Sequence, residues 1–355
     1  MKLAINLTLS FGMLALCLWL VWPNHEIVEQ LKHTWHAAHW NEFAPYLGAY
    51  VGLLVIVHLC RALRWNNLLA PLGVKLPTGP LLAISSVGFM AILALPARLG
   101  EFVRPGLLRN RGVSGTAALG TIAVERIVDG LIISLLVFGA CFSLRGPESP
   151  GWMMKTAYVA LAVFAVAFIF LMLALRNPQK TVAFFLRLSF LPKLAPKLAT
   201  TIETRLVEMI RGFEVLEDGK NLGVFVLWSV VYWFANGIGV WVLARGFHTI
   251  DPAFDLSLVG ALATMGIVAV GIMLPNSPGN FGQFQWFTVL GVSLSIIGAA
   301  DKHAAIYVTA FAFANVHYFL QLIWYMGMGV LGLATPWVSL HDLAMARKSG
   351  PAELT

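Results

Sequence analysis

Long stretches without charge constrain this chain more than any other feature of it. Residues 5–22, 43–60, 153–175, 222–243 and 303–334 are apolar and carry no ionised side chain or almost none. Each is about as long as the ~20 residues a helix needs to span the ~30 Å hydrocarbon core of a bilayer. A soluble fold would have to hide all five from water, yet only 12% of the 355 residues are charged, against about 25% in ordinary soluble domains. The mean hydropathy of +0.79 has the same sense. An all-α polytopic membrane protein is therefore expected, because a helix satisfies its own backbone hydrogen bonds in lipid and an open sheet does not. Four further apolar stretches, 80–96, 116–144, 256–275 and 281–300, are interrupted or bordered by polar residues.

The first apolar run follows Lys2 but continues to Trp22 with no Ala-x-Ala-like site after it, so it reads as a retained span and not a cleaved signal peptide. Leu16 is too bulky to precede a lipid-modified Cys17. Cys17, Cys60 and Cys141 all fall in or at the end of apolar segments, where cysteine behaves as a small hydrophobe; neither disulfides nor a thiol metal site is expected. The formal charge of +7 follows from basic cytoplasmic loops and does not point to nucleic acid.

Charge also orients the chain. Residues 23–42 hold Glu26, Glu29 and Glu42 against Lys32, which favours the outer side, as do Asp251 and Asp255 in 248–255. Residues 61–79 hold Arg61, Arg64 and Lys75 with no acid, and 176–221 hold eight basic and five acidic residues; both read as cytoplasmic. A full crossing by 80–96 would then strand Arg98, Arg104, Arg109 and Arg111 outside. A re-entrant hairpin, breaking at Pro96 to Gly100, avoids this, since irregular backbone is tolerated at membrane depth where protein or a cavity surrounds it.

An internal echo supports the hairpin. Leu95-Pro96-Ala97-Arg98-Leu99-Gly100-Glu101-Phe102 and Leu274-Pro275-Asn276-Ser277-Pro278-Gly279-Asn280-Phe281 share the pattern L-P-x-x-x-G-x-F. If 256–300 also forms a hairpin, it enters from the opposite side. The expectation is about six full spans plus two opposed re-entrant hairpins in one membrane domain, with units 43–144 and 222–334 as an inverted repeat joined by a cytoplasmic connector, 176–221. Paired broken helices in inverted repeats mark transporter substrate sites. Within the connector, Leu194, Leu198, Ile202, Leu206 and Ile210 recur every four residues, an interfacial or bundle-packing amphipathic helix. His33, His36 and His39 lack a carboxylate or cysteine to complete a metal site.

Glu125, Arg126 and Asp129 interrupt the run 116–144. Ionisable groups at such depth are costly unless paired or facing a cavity, and are functional candidates. Arg126 and Asp129, three apart, can pair; Glu125 needs a partner from elsewhere, which Arg98 or Arg104, flanking Glu101, would supply. Three arginines and three acids make an empty site neutral, with a lipid phosphate able to displace a carboxylate onto guanidinium forks. The same charges would serve equally as a network pinning the hairpin to the helix. The second hairpin offers Pro275, Asn276, Ser277, Pro278, Gly279, Asn280, Gln283 and Gln285, as headgroup-binding amides or as caps and turn residues. Arg61, Arg64 and Trp65, after the second span, read as recruiters of anionic lipid or as interfacial anchors.

At Arg61-Ala62-Leu63-Arg64-Trp65, at Leu95 to Glu101 with Arg104, at Glu125-Arg126 with Asp129, and at Pro275 through Gly282, the sequence resembles the lysylphosphatidylglycerol synthase transmembrane, or flippase-like, family. The resemblance implies re-entrant helices and translocation of aminoacylated phospholipid or other lipid-linked substrates. Two departures matter. The chain ends at Thr355, so the soluble aminoacyl-transferring domain of some relatives is not expected and a lipid-synthesising enzyme would be a separate partner. Gln283 stands where an acid would be expected soon after the glycines. A flippase for an anionic lipid of a bacterial cytoplasmic membrane, both termini inside and without cofactor, is the expected function. An envelope-assembly accessory protein and an intramembrane lipid-modifying enzyme are the alternatives; the sequence has no His-Glu-x-x-His, Gly-x-Ser-x-Gly or Walker motif.

Overall fold

The computed structural model describes residues 40–95, 100–109, 113–144, 151–176, 180–183, 186, 196–211, 213, 218–273 and 277–339, with scattered positions before residue 40. The expected span 5–22, most of the His33–His39 stretch, and Arg98, Pro275 and Asn276 lie outside the described residues. All regular elements among those described are helical: α1 Trp40–Leu69, α2 Thr78–Ala94, α3 Val103–Arg109, α4 Gly115–Ser143, α5 Gly151–Arg176, α6 Pro196–Arg211, α7 Gly219–Ile250, α8 Leu258–Gly271, α9 Gln283–Val292 and α10 Ala305–Leu333.

Three of these, α1, α7 and α10, are both long and apolar enough to cross a bilayer. At 29 residues, α4 rises about 44 Å and is as long, although it carries the charged triplet. On α5, Val159, Val163, Val166 and Ile169 are exposed, an apolar face suited to lipid. The pair α1 and α7 runs antiparallel: Phe43 meets Phe247 edge-on at 5.4 Å near one end, and Arg64 reaches Ser229 near the other.

Both expected breaks produce helical hairpins whose limbs are too short to span. The first joins α2, of 17 residues, to α3, of 7; the second joins α8, of 14, to α9, of 10. At 1.5 Å per residue even α2 rises only about 26 Å. Glycine lets the limbs touch. A Cβ on Gly100 would overlap the backbone of Ala91 and Ile92, and one on Gly291 would come 2.6 Å from Thr264 Cα.

Each hairpin packs against a long helix remote from it in sequence. Helix α10 packs along α2, with Gly329 against Met90 and Gly332 against Ala83, while α4 packs along α8, with Val137 against Gly266. Helix α10 thus covers α2 of the first hairpin and α4 covers α8 of the second, while α9 also packs on α10 and α3 on α4. The tips meet, a Cβ at Gly279 lying 3.8 Å from the Leu93 carbonyl. The amphipathic pattern of the connector forms α6, which lies on α4 with Ile210 buried and Ile202 and Leu206 packed into the same core. Cys60 and Cys141 are buried thiols, and no cluster of metal-ligating side chains occurs among the described residues.

Candidate functional site

Glu125 and Asp129 lie one turn apart on α4, so both carboxylates occupy the face turned towards α1. Arg64 on α1 meets both. Its Nη1 and Nη2 donate to Asp129 Oδ1 and Oδ2 at 2.6 and 2.7 Å, and Nη2 also donates to Glu125 Oε1 at 3.1 Å. This is the parallel fork that a guanidinium makes with a carboxylate. Ser229 and Trp233, one turn apart on α7, reach the same pair: Arg64 Nη1 donates to Ser229 Oγ at 3.0 Å, and Trp233 Nε1 donates to Asp129 Oδ1 at 2.9 Å.

The first hairpin holds the other oxygen of Glu125. Arg104 Nη2, on α3, donates to Glu125 Oε2 at 3.0 Å, and Arg126 Nη2 donates to Oε1 at 3.1 Å. Arg64, Arg104, Glu125 and Asp129 are all essentially inaccessible. Ionised groups persist at such depth only when paired and hydrogen-bonded, and each of these four is.

Arg61, three residues before Arg64, differs. No carboxylate forms a salt bridge with it among the described residues, and its buried Nε has no partner. The guanidinium carbon lies 3.9 Å from the centroid of the Phe89 ring and 5.6 Å from that of Tyr325. The side chain faces a partly open cavity of about 160 Å³ at the meeting of the hairpin tips. Each tip contributes a polar residue to that cavity, Glu101 from the first and Asn280 from the second; Arg126, Asn236, His317 and Gln321 add to its polar wall.

A family of membrane regions described as the lysylphosphatidylglycerol synthase TM region matches residues 3–344. The chain belongs to this family. Membership and the apolar helices together make it a multi-pass membrane protein, of a family concerned with lipid metabolism or translocation. No curated protein and no solved structure matches it significantly.

Of the residues that carried the family resemblance, the fold gathers Arg61, Arg64, Glu101, Arg104, Glu125, Arg126 and Asp129 around α4 and the cavity. Gly279 and Asn280 form the second tip, both with positive φ, 64° and 58°; the Gly279 carbonyl accepts from Tyr318 Oη at 2.9 Å. Pro278 opens the short turn there. Two expectations need correction. Arg126 bonds Glu125, not Asp129, because Arg64 already occupies both Asp129 oxygens. Arg64 and Trp65 are fully buried, Trp65 donating to Thr121 Oγ1 at 3.1 Å. They are not interfacial, because α1 runs on to Leu69 and carries them inside the bundle. Arg98, one of the three arginines balanced against the three acids, lies outside the described residues; among those described, Arg61, Arg64, Arg104 and Arg126 stand beside Glu101, Glu125 and Asp129. Gln283 and Gln285 take the second of their two expected roles, as braces and caps of the second hairpin, Gln283 Nε2 donating to the Gly271 carbonyl at 2.8 Å and Gln285 Oε1 accepting from Gly282 N at 2.8 Å. Ser229, Trp233, Asn236, His317 and Gln321 were missed by attention to charge alone. Their signal is a polar group at one-turn spacing inside an apolar span.

Proposed function

We propose that the protein moves an anionic lipid between leaflets, receiving the headgroup phosphate at Arg61 in the cavity between the hairpin tips. The observation that carries this reading is a guanidinium without a carboxylate partner among the described residues, facing a cavity that also has apolar and aromatic walls. Arg126 is the second phosphate ligand. Its side chain is 28% exposed, and if it swings to the phosphate, Glu125 keeps Arg64 and Arg104. Glu125 and Asp129 act as fixed counter-charges, so the reading is transport without covalent chemistry. Cover of each hairpin by a long helix remote in sequence supports an inverted repeat of units 43–144 and 222–334, with hairpins re-entering from opposite sides. The acidic 23–42 and basic 176–221 connections favour a bacterial cytoplasmic membrane with both termini inside.

The test is transbilayer movement of acyl-labelled phosphatidylglycerol in vesicles containing the full chain, read by quenching from outside. Movement is expected with the parent protein and a fall of at least tenfold with Arg61→Ala at equal incorporation. Movement no faster than in protein-free vesicles would overturn the proposal, as would an undiminished rate in Arg61→Ala.

A further inference from the structure

Ser86, Gly88 and Phe89 on α2 form a seat at the edge of the cavity, and each serves it differently. Ser86 Oγ lies 2.8 Å from His58 Nε2, which ties α2 to α1 one turn before Arg61. Gly88 admits the shaft of Arg104, since a Cβ there would overlap Arg104 Cγ. Phe89 is buried and meets the rings of His58 and Tyr325 edge-on at 5.7 and 6.1 Å, so packing fixes the plane of its ring. Two guanidiniums use that ring: Arg61 Cζ lies 3.9 Å from its centroid and Arg104 Cζ 5.3 Å. Both are within the ~6 Å over which an aromatic quadrupole attracts a cation.

The two arginines differ in what else holds them. Arg104 is bonded to Glu125 and lies 4.8 Å over Trp65. Arg61 forms no salt bridge among the described residues, and Tyr325, at 5.6 Å, is the other ring against it. An arginine side chain has many rotamers, and ordering it costs entropy. Glu125 is also near enough to attract Arg61 through an interior of low dielectric constant. Without a competing contact, the donors of Arg61 would be drawn from the cavity towards carboxylates that Arg64 already serves. An aromatic face opposes this and leaves the donors free. A guanidinium stacks through its plane and donates from its rim, so Phe89 can hold Arg61 while its N–H groups point at a phosphate.

Resting on the proposed transport, we infer that Phe89 is a positioning residue: the π face of its ring holds the Arg61 guanidinium at the cavity and away from the buried carboxylates. The test replaces Phe89 by phenylalanines bearing one, two or three ring fluorines, which drain the negative face stepwise and keep nearly the same shape. Movement of acyl-labelled phosphatidylglycerol is followed in vesicles containing the full chain, as a function of its fraction in the membrane. The fraction giving half the maximal rate should rise with each fluorine, by about threefold to tenfold at three, with the maximal rate little changed. Phe89→Leu, which stays apolar and has no π face, should act in the same direction. Fluorination of Trp65, whose ring faces Arg104 and not Arg61, should leave the half-saturating fraction where it was. A parent rate that three fluorines at Phe89 do not alter would overturn the inference and leave lipid transport standing. An equal effect from Trp65 would also overturn it, by assigning the effect to Arg104. No movement with the parent protein would overturn transport and positioning together.

Discussion

Arg61 and Arg64 share one helix and differ by three positions, yet they face opposite demands. Arg64 compensates two carboxylates that water cannot reach, and removing one member of a buried ion pair costs about 3–5 kcal/mol. Arg64→Ala is accordingly expected to lower the yield of monodisperse protein and to depress thermal unfolding in detergent sharply. Arg61 would lose only its contacts with Phe89 and Tyr325, about 0.5–2 kcal/mol. Arg61→Ala should therefore stay folded while losing lipid movement. Arg126→Lys should fold as well, because a charge remains beside Glu125, but transport more slowly, because an ammonium does not reproduce the planar fork; an unchanged rate in that variant would remove Arg126 from the phosphate path. Sequence alone singles out Glu125, Arg126 and Asp129, since each interrupts an apolar run. It does not separate Arg61 from Arg64, because a basic residue at the end of such a run looks the same whether the helix stops there or continues by two turns.

Among the helices, the two short pairs depend on backbone contact more than on side-chain packing. Gly100 rests on Ala91 and Ile92, where the obstructing atoms are backbone and cannot rotate away. Gly100→Ala should destabilise by about 1–3 kcal/mol, the usual range for overpacking. Gly139, on the long helix α4, has nothing within 4 Å of its would-be Cβ, so Gly139→Ala should be neutral or stabilising by up to about 1 kcal/mol. Thermal unfolding of the two variants side by side checks both; equal behaviour would mean that the first hairpin is not closed as described. The break points were legible because Leu, Pro, Gly and Phe recur in the same register at 95–102 and 274–281. Which helix covers each hairpin was not legible, because apolar surfaces on α2, α4, α8 and α10 are interchangeable as composition and are distinguished only by where small residues permit close approach.

At the scale of the molecule, the antiparallel α1 and α7 put Trp40 and Ile250 at one end, and in the proposed orientation that end is the outer one. Exposed positions on the connections test this. Cysteines replacing Lys75 and Lys220 should react only from the cytoplasmic side, and those replacing Ala253 and Asp301 only from the outer side; the reverse for either pair would invert the arrangement. The cover of each hairpin by a remote helix has a further consequence, for synthesis. Helix α2 ends at Ala94 and its covering helix begins at Ala305, so at about 5–20 residues per second the first hairpin waits roughly 10–40 s for its cover. During that interval the surface later buried by α10 is open to membrane proteases and chaperones, whereas α8 emerges after α4 is already made and can dock at once. Chains cut short at residue 300 should be cleared from the membrane several times faster than the full chain in a pulse-chase experiment. Quality control of this protein would thus act on its beginning by sensing whether its end has arrived.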